Sequence, residues 1–172
     1  MRETTAELQR LQTLLEHSIE RASAFLRSSF QMPEHSLSAA QLAAHLQGSL
    51  TVALGTVTAR GEPRVAPIGA FFLRASFYIP TVAEAARARH LARRPGASLT
   101  YFEGTDLAVV AHGNAVIIDE NHPDFTELDT TQVECGNQSV CGWQGEGVYV
   151  QLRPTSLFTF AREPDRYPAM PP

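Results

Sequence analysis

Two hydrophobic periods divide the chain, and the change falls near residue 49. Before it, 3-ETTAELQRLQTLLEHSIERASAFLRSSF-30 sets Leu8, Leu11, Leu15, Ile19, Ala22 and Leu26 at steps of three and four. Residues so spaced share one helix face. The pattern predicts one long amphipathic helix, capped by Thr4 or Thr5, with Glu3 and Glu7 suited to its positive start. Its apolar face can pack on its own domain or dock on a partner subunit. Pro33 ends the segment. A second, shorter helix is predicted in 36-SLSAAQLAAHLQG-48, where Ser38 and Gln41 have capping-box spacing and Gly48 supplies a stop.

Beyond residue 49 the period shortens. The β-rich run 49-SLTVALGTV-57, the turn 58-TARGEP-63 and the run 64-RVAPIGAFFLR-74 predict a hairpin, with Pro63 and Pro67 marking missing ladder donors. A short strand, 75-ASFYIP-80, follows. The alanine-rich 81-TVAEAARARHLARRP-95 is strongly helical until Pro95 closes it. Further strands are predicted at 97-ASLTYF-102, at 106-DLAVVAHGNAVIID-119 with a bend at Gly113, and at 147-GVYVQLRP-154. Between the last two, 122-HPDFTELDTT-131 starts like a helix and 134-ECGNQSVCGWQGEG-147 is a Gly-rich loop. The tail from Leu157 begins as a strand and ends Pro-rich. Six or so strands with one short helix inserted after the third argue a mainly β (α+β) domain, a small antiparallel barrel with peripheral helices. On this reading residues 1–35 form a helical extension, 36–162 the barrel and 163–172 a Pro-rich tail.

Bulk properties then narrow the function classes. With 172 residues the chain suits a single domain. Its 14 basic against 18 acidic residues give −4, which disfavours nucleic acid as a general partner. Two cysteines, Cys135 and Cys141, are too few for a disulfide framework, and their C-x5-C spacing is not a zinc pattern. The polar start 1-MRETTAELQRLQ-12 has no signal-peptide core, and no segment approaches the roughly 20 apolar residues of a membrane span. A cytoplasmic protein is expected. The sequence offers no nucleophile–base pair, paired-carboxylate site or Walker loop.

One local concentration of charge stands against the acidic balance: Arg87, Arg89, Arg93 and Arg94, just after an apolar strand. A strand-to-helix turn leaves backbone N–H groups unpaired and favours an anion. Thr81 adds a hydroxyl, and Arg87 and Arg89 can fork onto phosphate oxygens. Arg93 and Arg94 read as a solvated helix face.

These residues resemble a family. The succession 52-VALGTVTARGEPRVAPIGAF-71, 77-FYIPT-81, 87-RARHLARRPGASLTY-101 and 112-HGNAVIID-119 is similar to the pyridoxamine 5′-phosphate oxidase-like, FMN-binding split β-barrel superfamily. Thr81 and Arg87 keep that family's six-residue interval, Leu91 and Pro95 fall on its leucine and proline, and 147-GVYVQLRPTSLFTFA-161 looks like its last strands. The resemblance covers about residues 40–161. It implies a homodimer of six-stranded split β-barrels with two flavin-type sites in the subunit interface, holding FMN, the deazaflavin F420 or, in some branches, haem. Thr81, Arg87 and Arg89 match the phosphate-holding positions. The strand Arg64, Val65, Ala66, Pro67, Ile68 matches the one that passes along the isoalloxazine ring. Trp143 in the Gly-rich loop can stack on a flavin ring from the other subunit or serve as a hydrophobic anchor under its own loop.

Two departures stand out. Ala85 and Ala86 replace a serine or arginine common in FMN members, and Glu84 adds a negative charge that weakens phosphate binding unless it points away. The C-terminal region also lacks the Arg-x-His substrate signature of a true pyridoxamine phosphate oxidase. Among the histidines, His45 is a weak candidate for a haem ligand, His90 between Arg89 and Leu91 can touch a phosphate but reads better as a surface helical residue, and His112 reads as a packed or edge residue. The leading expectation is an oxidoreductase moving a hydride between FMN (alternatively F420) and a small organic substrate. Its rival is a non-enzymatic flavin- or haem-binding protein.

Overall fold

The computed structural model describes residues 3–169; the ends of the expected helical extension and Pro-rich tail, residues 1–2 and 170–172, lie outside the described residues. The single helix expected over 3–30 is two helices, α1 (Thr5–Arg21) and α2 (Ala24–Ser29). The break has a local cause. Ala22 is extended, and Ser23 starts a new helix by accepting a hydrogen bond from the Leu26 N–H at 3.1 Å. The Arg27 guanidinium donates to the Ala22 carbonyl that the break frees. The capping box read from the sequence at Ser38/Gln41 forms at the start of α3 (Ala39–His45), and Thr4, one of the two expected caps of α1, forms a second box with Glu7. Leu11 and Leu15 are buried in the main core, so α1 packs on its own chain, against α3 and the last strand.

Six antiparallel strands close into a barrel: β1 (Leu50–Val57), β2 (Pro63–Leu73), β3 (Ser76–Val82), β4 (Gly96–Glu103), β5 (Leu107–Ile118) and β6 (Gly147–Ala161), in the spatial order β1-β2-β3-β6-β5-β4. Period-two burial explains β1, where Leu50, Val52, Leu54 and Thr56 point inward. β3 is different. Phe77 and Ile79 face the barrel interior, while Tyr78 on its other face joins Phe71, Leu73, Ile118 and Tyr149 in a second cluster under α5 (Phe125–Glu134). Burial on both faces is why 77-FYIP-80 reads as an unbroken apolar run. The fourth helix, α4 (Ala86–Arg93), follows β3 and packs against β1 and β5, with Leu91 in the main core.

The two strands expected at 147–154 and from 157 are one. β6 pairs with β3 through residues 147–152 and with β5 through 149–161. Its register shifts between His112 and Gly113, which face Ser156 and Pro154, so Thr155 is the extra residue of a bulge. Pro154 has no N–H to donate and is tolerated there. Gly113 is required by close approach: a Cβ would run into the Arg153 carbonyl.

Past residue 152, β6 has no β3 beside it, and the N-terminal arm covers the open edge. The Leu157 N–H donates to Ser18 Oγ at 2.9 Å, and the Ala161 N–H to the His35 carbonyl at 2.7 Å. In return Thr159 Oγ1 accepts from the Leu37 N–H at 2.8 Å. Ser18 is therefore buried within an otherwise apolar helix face for a hydrogen-bonding reason.

Candidate functional site

The chemistry collects where α4 meets β1 and β2. Thr81, near the end of β3, is 2% exposed, and its Oγ1 accepts a hydrogen bond from Arg87 Nη1 at 3.0 Å. Six residues separate them because the intervening turn must reverse the chain before α4 brings Arg87 back over the strand. Ala85 provides no side-chain cap, so the start of α4 keeps its anion-favouring character.

Arg87 lines an open cleft of about 280 Å³ together with Leu54, Thr56, Arg64, Val65, Ala66, Ala86 and His90. Its lining combines the cationic Arg64 and Arg87 with the apolar Leu54, Val65 and Ala66. Such a wall suits a planar organic ring with an anionic tail. Of the residues expected from the sequence, Arg64, Val65, Ala66 and Arg87 come together here, with Thr81 behind Arg87. Pro67 and Ile68 lie farther along β2. Pro67 is exposed opposite Ala53, and Ile68 packs toward the main core.

Arg89 faces a neighbouring cleft of about 420 Å³, which it lines with Thr58, Ala59, Arg60, Glu62, His90 and Arg93. Arg93 thus borders a cationic groove, whereas Arg94 donates to the Ala59 carbonyl at 2.8 Å and braces the β1–β2 turn. Glu62 is paired with Arg64 at 2.7 Å, so the carboxylate nearest these arginines is already partnered.

Glu84 does not line either cleft. Its carboxylate leans toward Gly145, where an added Cβ would sit 3.1 Å from Oε2. The Gly-rich loop also holds the turn through the Ala83 N–H, which donates to the Glu146 carbonyl at 2.9 Å. Trp143 of that loop packs against the second hydrophobic cluster of its own subunit.

Asp129 organises the same loop. It accepts from Ser139 Oγ at 2.6 Å, Tyr149 Oη at 2.9 Å and the Val140 N–H at 3.0 Å. Burial pushes its carboxyl upward, but these donors together hold it below its ordinary value. His45 is engaged elsewhere: its Nε2 lies 2.7 Å from Glu103, which Tyr101 also binds. Burial and the Glu103 carboxylate push the Tyr101 hydroxyl up to about 12. No group of three metal-ligating side chains occurs among the described residues.

Two further residues line the cleft, one unread in the sequence and one read there as a surface residue. Thr56 is a buried hydroxyl in an inward position of β1, and His90 is half-buried with Nδ1 3.3 Å from Thr56 Oγ1. The available signal for His90 was its spacing: three residues after Arg87 puts both on one helix face.

Comparisons with known proteins agree with the fold. A model of the family described as pyridoxamine 5′-phosphate oxidase matches residues 38–143. Among solved structures, a conserved hypothetical protein from Mycobacterium tuberculosis is 17% identical with a TM-score of 0.58, covering 81% of this chain and 94% of its own. An F420 reductase is 14% identical with a TM-score of 0.51, covering 65% and 91%. An FAD-binding protein from Mesorhizobium loti is 14% identical with a TM-score of 0.53, covering 64% and 82%. Likeness at these identities is one of fold. No curated protein matches the sequence.

Proposed function

Because the chain belongs to the pyridoxamine 5′-phosphate oxidase family, we propose that it binds a flavin in the cleft between β1, β2 and α4 and transfers a hydride between that ring and a small organic substrate. The observation that carries this reading is the Arg87–Thr81 pair at the uncapped start of α4, set against the apolar wall of Leu54, Val65 and Ala66. The donor set fits a phosphate: two guanidinium groups, Arg87 and Arg64, border one cleft, and the one acidic residue of the turn is turned toward Gly145.

A bound flavin supplies the redox chemistry. The residues do the positioning. Thr81 holds the Arg87 guanidinium in place before a ligand arrives, which lowers the ordering cost of binding. Leu54, Val65 and Ala66 offer the ring an apolar surface, while the exposed first half of β2 leaves room for a substrate or a second subunit on its outer side.

A homodimer belongs to the same proposal. Val65 is 72% exposed and Phe102 60% exposed, and their register places both on the outer face of β2, β1 and β4. Such residues favour burial between copies.

A second reading, F420, draws support from the adjoining cleft, where Arg60, Arg89 and Arg93 could follow an extended acidic tail. Titration of the purified protein with FMN and F420 separately, followed by absorbance and by mass spectrometry of released ligand, tests both. Tight FMN binding unaffected by an Arg89→Ala, Arg93→Ala double variant supports FMN, and F420 binding lost in that variant supports F420. A protein that binds neither overturns the proposal. Binding without turnover of any acceptor favours a storage or sensing role.

A further inference from the structure

His90 occupies a position that the flavin reading does not use. It lines both clefts, and its imidazole stands between Arg64 and Arg87 on one side and Arg60, Arg89 and Arg93 on the other. Nδ1 is 3.3 Å from the hydroxyl of Thr56, which is buried in β1. A hydroxyl can donate to a neutral imidazole nitrogen and accept from a protonated one, so this contact serves both charge states. A carboxylate or backbone carbonyl partner, which can only accept, would favour one of them.

We infer that His90 is a proton-linked specificity residue, which donates to an anionic group of the ligand and takes up a proton as a dianionic ligand binds. The inference rests on the proposed flavin site, because it assigns that ligand a phosphate contact at the wall shared by the two clefts. The electrostatic argument concerns the whole surroundings. The turn gives Arg60 and Glu62, β2 gives Arg64, α4 gives Arg87, Arg89 and Arg93, and β1 gives only the neutral Thr56. β5 also packs on α4, and its one titratable side chain, His112, is engaged with Ser98 at 2.7 Å. With Glu62 bound to Arg64, positive charge dominates, and an entering dianion reverses the local field in favour of imidazolium. An uncharged ligand does not.

The test measures the Kd of FMN and of riboflavin, which lacks the phosphate, at about pH 8 and about pH 6, across the usual titration range of histidine. Wild type is expected to tighten on FMN about tenfold more than His90→Gln does over that interval, the effect of one charge-assisted contact. Riboflavin affinity should stay flat in both proteins. The ligand's own phosphate ionisation acts equally on both, so only the difference counts. A His90→Arg variant should bind FMN with the same pH response as His90→Gln, while Thr56→Val should reduce the wild-type response. Equal pH responses in wild type and His90→Gln overturn the inference while leaving the flavin proposal intact.

If FMN binds at no pH, the FMN reading falls and the His90 assignment is read separately with inorganic phosphate. The ring resonances of His90 are then followed by NMR through a pH titration. An upward displacement of the His90 midpoint by phosphate supports the assignment, and an unmoved midpoint overturns it.

Discussion

Arg87 has two partners to satisfy, the buried Thr81 hydroxyl and the open cleft, and substitution separates them. Arg87→Ala is expected to weaken FMN binding ~10- to 100-fold and to cost about 1 kcal/mol of stability, because Thr81 loses its donor. The double variant Thr81→Val, Arg87→Ala should regain much of that stability and none of the affinity, since both hydrogen-bonding partners are then gone. Denaturant titration and fluorescence quenching check the two halves. A second residue-scale expectation concerns Gly113, where a Cβ would meet the Arg153 backbone at the bulge. Gly113→Ala should destabilise by roughly 2 kcal/mol or more, seen as a lower denaturation midpoint. At this scale the sequence named residues that the fold brings together, Thr81 and Arg87 from spacing and charge, and Arg64, Val65 and Ala66 from the family resemblance. Thr56 was not legible, because an inward threonine in a strand looks like any β-branched residue until the helix above it is placed. Arg89 was expected beside Arg87 from its place after the strand-to-helix turn and from the resemblance; two residues along a helix rotate a side chain to another face, and it lines the neighbouring cleft.

Elements obey longer-range constraints. The sequence pattern located all six strands, and the Ser38/Gln41 capping box was readable from a few letters. Two joints were not. Continuous leucine spacing across Ala22 hid the break that Ser23 introduces, since periodicity counts apolar residues and misses a competing cap. Likewise Pro154 and Thr155 look like the end of a strand, although a bulge carries β6 through them. The role of α1 also became visible only in three dimensions. Ser18→Val should leave the Leu157 N–H buried and unpaired, at about 1–3 kcal/mol, whereas Thr13→Val on the exposed face should change little. Thermal melts of the two variants distinguish the faces. The Gly-rich loop supplies a pH test. Asp129 titrates below its ordinary value when folded, so its stabilisation is complete above the unfolded value, about pH 4, and fades as pH falls through the folded one. The melting temperatures of wild type and Asp129→Asn should therefore differ most above about pH 4 and draw together as pH falls below it.

For the whole molecule, the exposed apolar residues outside the barrel matter more than the core. Phe102→Glu should convert the proposed dimer to monomer in light scattering without unfolding the barrel, because this side chain is neither in the core nor in the lining of the cleft. Loss of FMN binding in that monomer would place part of the site in the second subunit. Retained binding would assign the cleft to one chain.

The long pairing of β6 has a further consequence in time. It is the sixth strand in chain order, yet it closes the barrel between β3 and β5 and receives the N-terminal arm along its remaining edge. A nascent chain that has reached only residue 146 exposes unpaired edges on both β3 and β5, with the apolar interior between them open to water. Synthesis therefore keeps the earlier strands waiting, and contacts of such long sequence separation form slowly. A chain stopped before Gly147 should aggregate rather than persist as a five-stranded monomer, and ribosome-tethered intermediates should need chaperone protection until Ala161 has emerged.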